Sequence, residues 1–332
     1  MSFVEHLKFA KAKPFVVPRA AMGYFKSFIG MPVLRTVDFG VSAKCSFQCK
    51  MCSATKIYRG GEELSVKEII STFQDAQKLG AIHINLTGAE PLMRDIDELC
   101  EIIKGCSPKK NLISLVTNSI HCTKEKLARL KNAGLDTLQI SIESLDEKKN
   151  DEIRGTKGHF WKAMNAMYDA RDLGLIVCLS CVLSEDTWED VENIIDFAKG
   201  KAFVLINPVS SAGRGGMKIL DYNRYSKLLK NRHVRADTVS NFRIKQGCPG
   251  PERIHITAYG DVIQCPHVQI AFGNVRNESL ISIWRKMLSV PHYSEISDKC
   301  KHVFGKDFNE KILSKIENLE ELPIQYEEFL KL

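Results

Sequence analysis

The sequence lacks any long hydrophobic run. Its longest apolar stretches, Ile176 to Val182 and Phe203 to Pro208, have the length of a β-strand, whereas a membrane-spanning helix needs roughly 20 apolar residues. The segment Met1 to Ala20 also lacks the continuous apolar core and the small-residue cleavage site of a signal peptide. We therefore expect neither a transmembrane helix nor a secretion signal, and the predicted compartment is the cytoplasm.

The sequence also lacks the even cysteine count that is typical of a disulfide framework. It contains eleven cysteines in 332 residues. In a reducing compartment such thiols are more often metal ligands or small buried side chains than disulfide partners. A hydrophobic fraction of 44% in a chain of this length predicts a large core, either in one α/β domain or in one domain with a smaller module beside it.

Negative charge is scarce in two segments. Between Lys201 and Arg253 the sequence has eleven Lys or Arg and three acids, and the first 36 residues have six basic residues and only Glu5. Such segments are able to bind nucleic acid, anionic lipid or an acidic peptide, although a solvated basic face is the simpler interpretation. No interleaved aromatic residues indicate base stacking, so no specific nucleic-acid partner is expected. The basic amphipathic stretch "FAKAKPFVVPRAAMGYFKSF" leaves peripheral contact with a membrane surface, or a lipid-like substrate, as an open alternative.

Residues 36 to 206 repeat one pattern, in which an apolar run of strand length is followed by a polar loop, an amphipathic helix and a closing glycine. Six such units predict parallel strands joined by crossover helices. We predict an α/β fold with a partial (β/α)6 barrel of TIM-like construction, and an open doubly wound sheet is the alternative. The predicted strands are Thr36 to Val41, Ile82 to Thr87, Leu112 to Thr117, Asp136 to Ile142, Leu175 to Leu183 and Ala202 to Pro208.

Alternation along two of these strands separates polar from apolar side chains. We predict that the polar faces point into the barrel and line a site near the carboxyl ends of the strands. These faces carry His83, Asn85 and Thr87 on the second strand and Gln139, Ser141 and Glu143 on the fourth.

The loop after the first strand reads "CSFQCKMC" and carries Cys45, Cys49 and Cys52. In both candidate architectures the chemistry lies beyond the carboxyl ends of the strands, so this is a site loop. Structural zinc normally takes four protein ligands, commonly in two pairs, and no fourth ligand is near in the sequence. A 4Fe-4S cluster held by three thiolates leaves one iron open for chemistry.

At this loop the sequence resembles the radical S-adenosylmethionine (SAM) superfamily, whose signature is such a cysteine loop after the first barrel strand. The resemblance implies that the open iron binds the amino and carboxylate groups of SAM. It further implies that an electron from the cluster cleaves SAM to a 5′-deoxyadenosyl radical, which abstracts hydrogen from a substrate C–H bond, and that a reductase such as flavodoxin or ferredoxin supplies the electron. Structural zinc or a coincidental spacing is the alternative.

The resemblance extends to several residues that would bind SAM. The position before the third cysteine is usually aromatic and packs on adenine. Here it is Met51, whose polarizable thioether suits the same contact. The segment "LTGAEPL" resembles the GGEP-type motif of the family, with Ala89 in place of the second glycine. This likeness assigns SAM binding to Gly88, Ala89 and Glu90, with the Glu90 carboxylate facing the SAM ammonium; an exposed loop glutamate is the alternative.

The fourth strand and the helix after it continue this pattern. "LQISIES" resembles the S-x-[DE] motif that contacts the SAM ribose, which implies that role for Ser141 and Glu143. Arg154 resembles the arginine that meets the SAM carboxylate in many relatives, although a surface salt bridge would explain it equally simply. Thr117 and Asn118 end the third strand, where they would either line the substrate cavity or form a turn.

The other barrel cysteines are predicted to be packing residues. Cys178 and Cys181 lie an odd number of positions apart within one strand, so they point to opposite faces and do not share a metal. Cys100, Cys106 and Cys122 lie on or near predicted helices, where a free cysteine usually acts as a small hydrophobic side chain.

A second motif lies near the C-terminus. "CPGPERIHITAYGDVIQC" spans Cys248 to Cys265 with a two-strand pattern and a turn at Gly260, and "FGNVRNESLISIW" follows. Both pieces resemble the SPASM/twitch extension of radical SAM enzymes, which binds auxiliary 4Fe-4S clusters. The usual later group of closely spaced cysteines is absent, and only Cys300 follows. The resemblance therefore implies one auxiliary cluster on Cys248, Cys265 and Cys300, with its fourth position open or filled by His267 or His302. Zinc on the same residues is the alternative.

The predicted organisation has five parts. They are a basic N-terminal extension (1–35), the radical SAM barrel (36–208), a basic linker or helical segment (209–247), a SPASM/twitch-like iron–sulfur module (248–306) and a helical tail (307–332). The sequence does not decide whether the substrate is a peptide, a small metabolite or a lipid-like molecule. Residues 1–35 leave no room for a peptide-recognition domain, which weakens the peptide interpretation. A non-catalytic iron–sulfur sensor is the competing class, although a sensor would not need the SAM-binding pattern.

Overall fold

The computed structural model describes residues 13–52, 61–209, 221–231, 233–236, 248–297, 299–316 and 318–332. Helix α1 (Val16–Phe28) precedes six β/α units. Their strands are β1 (Thr36–Ser42), β2 (His83–Gly88), β3 (Leu112–Thr117), β4 (Thr137–Ser141), β5 (Ile176–Leu183) and β6 (Phe203–Pro208). Their helices are α2 (Val66–Lys78), α3 (Ile96–Gly105), α4 (Lys124–Ala133), α5 (Glu147–Arg154), α6 (His159–Asp172) and α7 (Trp188–Ala198).

The six strands pair in parallel and in sequential order from β1 to β6. An open doubly wound sheet would instead reverse its strand order at a switch point, so the sequential order identifies the partial barrel. The apolar strand faces meet the helices in one core. Fully buried members of this core include Ile84, Leu86, Ile113 and Leu115 from the strands and Ile69, Phe73 and Ile102 from the helices.

Local sequence signals explain where these helices begin and end. Helix α2 starts at a capping box in which the Ser65 side chain accepts from the Glu68 backbone N–H and the Glu68 carboxylate accepts from the Ser65 backbone N–H. Helix α4 ends at Gly134, which adopts φ +118°, a conformation that glycine reaches without the steric cost of a Cβ atom. Each helix therefore returns the chain to the amino end of the next strand.

The C-terminal module extends the same sheet. Strand β8 (Arg253–Ile256) pairs in parallel with β1, and β9 (Asp261–Cys265) and β10 (Val268–Asn274) add antiparallel strands. The predicted two-strand pattern is thus present, and the "GNVRNESLISIW" segment forms α9 (Leu280–Leu288). The described strands give the order β11-β10-β9-β8-β1-β2-β3-β4-β5-β6-β7, where β7 is Val234–Ala236 and β11 is Ile324–Gln325.

The remaining segments are short. The basic helix predicted around Leu220 to Lys230 is α8 (Tyr222–Leu228), and the glycine-rich segment Ser211 to Gly216 lies outside the described residues. Short helical pieces follow α9 at Pro291–Ser294 and Lys301–Phe304. The predicted amphipathic tail is broken into Lys306–Phe308, a π-helical turn at Asn309–Leu313, Ser314–Ile316 and Tyr326–Phe329. In the described parts of the chain, no helix is long and apolar enough to cross a membrane.

Candidate active site

The three-cysteine loop starts where β1 ends, at Ser42. The loop turns tightly because its own groups bond to one another. The Phe47 backbone N–H donates to Cys45 Sγ at 3.4 Å, and the Cys52 backbone N–H donates to the Cys49 carbonyl at 3.3 Å. The Lys50 backbone N–H ties the loop to the Ile153 carbonyl near the end of α5 at 3.0 Å. These bonds bring Cys45, Cys49 and Cys52 to the wall of one cavity.

Burial and the charge of a neighbouring residue shift the pKa values of these thiols in opposite directions. Cys49 is buried and Cys45 is more exposed. Burial raises the pKa of Cys49 to about 11 and also raises the pKa of Cys45, while the nearby Arg154 guanidinium acts to lower both. The thiolate is the form that binds metal, so a positively charged cluster or metal in this loop would offset the cost of ionising the buried thiols.

The cavity beside the loop has a volume of about 490 Å³. Uncharged polar side chains from the inner faces of the barrel strands form part of its wall, beside apolar and charged side chains. Polar lining residues include Asn85, Thr87, Thr117, Asn118, Gln139, Ser141, Ser180 and Asn207, and Met51, Gly88 and Ala89 also border the cavity. The polar faces predicted for β2 and β4 therefore point inward for Asn85, Thr87, Gln139 and Ser141.

The end of β2 approaches β1 very closely at Gly88. A Cβ atom on Gly88 would lie 2.4 Å from the Ser42 carbonyl oxygen, and the residue has φ +125°, so both space and backbone conformation require glycine. The next backbone N–H, that of Ala89, donates to the same Ser42 carbonyl at 2.9 Å. This crossing fixes the start of the "GAEP" turn directly beside the cysteine loop.

Glu90 is fully buried below this turn. Its carboxylate accepts hydrogen bonds from the Leu92 backbone N–H at 2.9 Å, the Thr117 hydroxyl at 2.7 Å and the Asn118 backbone N–H at 2.7 Å. Burial raises the pKa of Glu90, and these hydrogen bonds act to lower it. Glu90 thus joins the loop after β2 to the end of β3, and its predicted contact with the SAM ammonium stays a prediction.

Asn118, whose backbone N–H donates to Glu90, reaches the cysteine loop with its side chain. Asn118 Nδ2 lies 3.7 Å from Cys45 Sγ, within hydrogen-bond distance for sulfur. Its Oδ1 accepts from the Ile120 backbone N–H at 3.0 Å. Asn118 therefore both forms a turn and borders the cavity, which combines the two alternatives open for it from the sequence.

A buried ion pair between the loop after β4 and the last residue of α5 lies next to the cysteines. Arg154 Nη1 lies 3.2 Å from Glu143 Oε1, and Glu143 Oε2 accepts from the Val182 backbone N–H at 2.8 Å. Burial raises the pKa of Glu143, with Arg154 opposing it. Burial would lower the pKa of Arg154, but the neighbouring Cys49 and Glu143 raise it. The surface alternative for Arg154 is therefore wrong, since its side chain is 12% exposed.

The helix end that carries Arg154 packs tightly under the cysteine loop. The Arg154 guanidinium lies 5.8 Å from the centre of the Phe47 ring, and this ring meets His159 edge-on at 5.4 Å. The following Gly155 has φ +62°, and a Cβ there would lie 2.4 Å from the Gln48 carbonyl oxygen. The "RG" pair thus combines a charge next to Cys49 with a backbone contact that only glycine allows.

Two charged residues that the sequence analysis missed form the far wall of the cavity. Arg253 on β8 donates through Nε to Asp38 Oδ2 on β1 at 2.6 Å, and Asn85 Nδ2 donates to Asp38 Oδ1 at 2.6 Å. Burial would raise the pKa of Asp38, but Arg253 and the neighbouring His255 hold it below its ordinary value. The sequence "RIHI" in β8 could have indicated this wall, because its alternation places Arg253 and His255 on one face of the strand.

The second cysteine group lines its own cavity, of about 60 Å³. Cys248 pairs with Ser297 through two backbone hydrogen bonds of 2.7 and 3.0 Å, Cys265 ends β9 and Cys300 precedes a helical turn. Burial raises the pKa of Cys248 and raises that of Cys300 further. The sequence thus identified three cysteines that the fold brings to one cavity wall.

Both histidines named from the sequence lie at this second cavity. His302 Nδ1 is 3.1 Å from Cys300 Sγ, and the His302 ring stacks on His267 with a centroid distance of 4.4 Å. Burial, with a contribution from His267, lowers the pKa of His302 well below its ordinary value. A neutral imidazole is the form that binds metal, so His302 is chemically suited to a fourth ligand position, and His267 lies beside it in the same cavity.

The two cavities adjoin. Both are bordered by Asn207, Pro208, Arg253, Pro266 and His267. A molecule in the larger cavity would therefore lie between the two cysteine groups. In the described ranges, no three His, Cys, Asp or Glu side chains converge closely enough to hold a single metal ion. Each cysteine trio lines the wall of a cavity, and cysteine thiolates are the ligands that hold iron–sulfur clusters.

The remaining cysteines occupy the packing positions that the sequence analysis predicted. Cys106 and Cys181 are fully buried, and Cys100 and Cys178 are each 8% exposed. Burial raises the pKa of Cys106 to about 12 and that of Cys181 further. Cys122 is partly buried and packs against the hydrophobic core.

Comparisons with known proteins agree with this arrangement. The family model of the radical SAM superfamily matches residues 40–198, and that of an iron–sulfur cluster-binding domain, SPASM, matches residues 248–302. The PqqA peptide cyclase of Rhizobium meliloti is 26% identical over 269 residues, covering 73% of this chain and 71% of the relative.

Two solved structures share the fold. Streptococcus suis SuiB bound to precursor peptide SuiA matches with a TM-score of 0.62 at 16% identity and covers 78% of this chain. The chain spans 66% of that SuiB chain. Native anSMEcpe with bound AdoMet and Cp18Cys peptide matches with a TM-score of 0.60 at 15% identity, covering 79% of this chain and 82% of the other.

The partial barrel, its three-cysteine loop and the second cysteine group define an iron–sulfur enzyme of the α/β barrel class. The chain belongs to the radical SAM superfamily and carries a C-terminal SPASM domain. Its cofactors are accordingly a 4Fe-4S cluster, SAM and auxiliary iron–sulfur.

Proposed function

We propose that this enzyme abstracts hydrogen from a polar, peptide-like substrate that binds in the 490 Å³ cavity between the two cysteine groups. The observation that carries this proposal is the wall of that cavity, which contains several amide and hydroxyl side chains, is bordered by Cys45, Cys49 and Cys52, and adjoins the smaller cavity that Cys248, Cys265 and Cys300 line. Such a wall offers hydrogen bonds to backbone amides or polar side chains, whereas a hydrocarbon chain would leave these groups unpaired.

We assign the radical-generating cluster to Cys45, Cys49 and Cys52. When bound, the cluster supplies the electron that cleaves SAM and so starts radical chemistry. The residues assigned to SAM are Met51, Gly88, Ala89, Glu90, Ser141, Glu143 and Arg154, all of which border the cavity or lie directly behind its wall. Arg154 has the additional role of offsetting negative charge on the Cys49 thiolate.

We assign one auxiliary cluster to Cys248, Cys265 and Cys300, with His302 or His267 as the neighbouring nitrogen donor. The cluster would accept an electron from substrate or position it. The electron donor for the barrel cluster is proposed to be a flavodoxin or a ferredoxin. The domain limits predicted from the sequence, 36–208 for the barrel and 248–306 for the module, are kept as part of this proposal.

Two observations support a peptide over a small metabolite or a lipid-like substrate. The curated relative is a peptide cyclase, and SuiB, which shares the fold, was solved with a precursor peptide. The polar cavity wall agrees with such a substrate on chemical grounds. An open reading frame for a short peptide beside this gene would supply the candidate to test.

Anaerobic incubation with SAM and dithionite tests the central assignment. The wild-type protein, reconstituted with iron and sulfide, is expected to form 5′-deoxyadenosine, and a triple variant, Cys45→Ala, Cys49→Ala and Cys52→Ala, is expected to form none. Cys100→Ala, which removes a packing cysteine, is the matched control and should keep full activity. Undiminished cleavage by the triple variant would refute the assignment, and a candidate peptide that gains no mass change would refute only the substrate.

A further inference from the structure

Helix α1 lies across the amino ends of the barrel strands, opposite the cysteine loop. Arg19 donates to the carbonyls of Ala81 and Lys110, which precede β2 and β3. Lys13 forms a buried ion pair of 2.7 Å with Asp136, just before β4. At the far end of the helix the Ser27 hydroxyl donates to Glu252, just before β8. The inner side of α1 is thus fully engaged in fixing the helix to the barrel.

The outer face of α1 is strongly apolar and exposed. The Phe28 side chain is 88% exposed and Phe25 is 59% exposed. Monomeric proteins rarely leave so many large apolar side chains together in water unless the patch contacts something else. We define the outer face by its exposed members, which are Phe15, Val17, Met22, Tyr24, Phe25, Phe28, Ile29 and Met31.

Basic residues lie on α1 and in a segment bound to it. The segment 104–111, to which Arg19 is bound, contains Lys104, Lys109 and Lys110, all exposed, and no acid. Lys26 lies on α1 itself and is partly exposed. Aromatic and methionine side chains beside lysines are the composition of helices that lie in the interface of anionic membranes.

We propose that the outer face of α1 docks on the surface of an anionic phospholipid bilayer. The bulky side chains would enter the boundary between headgroups and acyl chains, and the lysines would contact the phosphates. Since the cysteine loop is at the opposite end of the barrel, the mouth of the cavity faces away from the bilayer. The enzyme would then be held at a membrane and would take its substrate from the aqueous side. This inference is independent of the proposed substrate.

Binding to vesicles tests the proposal. Reconstituted full-length protein is mixed with vesicles of phosphatidylglycerol and phosphatidylcholine, or of phosphatidylcholine alone, and the bound fraction is measured by sedimentation. We expect binding to the anionic vesicles that falls at about 1 M salt, where the Debye length is about 3 Å. The double variant Phe25→Glu, Phe28→Glu should bind at least about tenfold more weakly, a change of about 1.4 kcal/mol.

The matched control is Tyr168→Glu. Tyr168 is an aromatic residue on α6 that is 47% exposed, so this change removes one exposed ring and adds one negative charge away from α1, as each single change of the double variant does on α1. The control should bind vesicles as the wild type does, and all three proteins should form 5′-deoxyadenosine at the same rate in solution. Equal vesicle binding by the wild type and the double variant would overturn the proposal. A wild-type dimer that the double variant converts to monomer would also overturn it, because the outer face would then be an interface between copies.

Discussion

Glu90 illustrates how much a single side chain in this site depends on its neighbours. The motif around it predicts a carboxylate beside SAM, yet no sequence pattern reveals that its oxygens accept from the Thr117 hydroxyl and the Asn118 backbone N–H. Those partners come from β3, and contacts between strands distant in sequence leave no periodic signal. The same limit applies to Arg253, whose partner Asp38 is 215 residues away. Motif residues were predictable, and their partners were not.

The substitution Glu90→Gln is expected to weaken SAM binding by about 10- to 100-fold, because hydrogen bonds to charged groups contribute roughly 1.5 to 3 kcal/mol. The amide has no formal negative charge for an ammonium and one fewer acceptor atom for the β3 turn. Isothermal titration of the anaerobic protein with SAM measures the change.

The Thr117→Val variant separates the two effects of Glu90. It removes the hydrogen bond that the Thr117 hydroxyl donates to the carboxylate and the one that this hydroxyl accepts from the Ser119 backbone N–H, and it leaves the charge in place. If Glu90 acts through its charge, this variant should bind SAM nearly as the wild type does. Equal losses in both variants would show that Glu90 acts by bracing the turn at Asn118, and an unchanged dissociation constant for Glu90→Gln would remove the residue from the SAM site.

Asn118 is expected to tune the reduction potential of the barrel cluster. Hydrogen bonds to cluster sulfurs stabilise the more negative, reduced state, and Asn118 Nδ2 is 3.7 Å from Cys45 Sγ. Asn118→Ala should therefore lower the midpoint potential in a redox titration followed by electron paramagnetic resonance. Asn85→Ala removes a cavity amide that bonds to Asp38 instead of a cysteine, so its potential should match the wild type. An equal shift of the midpoint potential in Asn118→Ala and Asn85→Ala would exclude a specific role for Asn118.

At the scale of secondary structure, the sequence predicted the barrel well because each unit carries its own signals. The predicted limits of β3 coincide with the observed ones, those of β1, β5 and β6 differ by one residue at one end, and those of β2 and β4 differ by one residue at both ends. Alternation, capping residues and closing glycines are all local. The pairing of β8 with β1 was not predictable, since it joins segments separated by more than 200 residues. The tail predicted as one or two helices is helical over residues 306–316 and again at Tyr326–Phe329, and the segment between them that contains Pro323 is not helical.

The ion pair between β1 and β8 should be important for stability. Asp38 and Arg253 have side chains that are 5% and 15% exposed, and removing one partner of a buried pair costs about 3 to 5 kcal/mol. Arg253→Gln should lose about that much in chemical denaturation at neutral pH, and Asp38→Asn added to it should recover part of the loss. A loss below about 1 kcal/mol, the range of exposed pairs, would contradict this expectation.

The effect of Arg253→Gln should also depend on pH. The pKa of Asp38 is lowered in the folded protein, so the stability it contributes is present above its ordinary pKa of 3.8 and is lost as the pH falls through the lower folded value. The wild type and the variant should therefore differ fully at neutral pH and converge below this value. Denaturation curves at a series of pH values measure the difference, and a gap that persists or widens in acid would show that Arg253 acts through packing instead of charge.

At the scale of the whole molecule, the module and the barrel form one working unit. The sheet continues from β1 into β8 and β9, and Arg276 after β10 bonds to Glu68 of α2 and to the carbonyls of Glu62 and Glu63. These contacts hold the auxiliary cysteines at a fixed position relative to the barrel cavity. The polar cavity between the two cysteine groups follows from this joint sheet, so substrate would meet both clusters from one binding position.

The iron content of the whole protein distinguishes the assignments for the second cysteine group. If Cys248, Cys265 and Cys300 hold a 4Fe-4S cluster, the reconstituted wild type should contain about eight irons and the triple alanine variant about four, by the stoichiometry of two thiolate-bound centres. The variant should still cleave SAM, because Cys45, Cys49 and Cys52 lie on a separate loop, but it should not complete substrate turnover. Zinc on these residues would instead give about four irons and one zinc in the wild type. A wild type with four irons and no zinc would refute both assignments, and the three cysteines would then be packing residues around a 60 Å³ cavity.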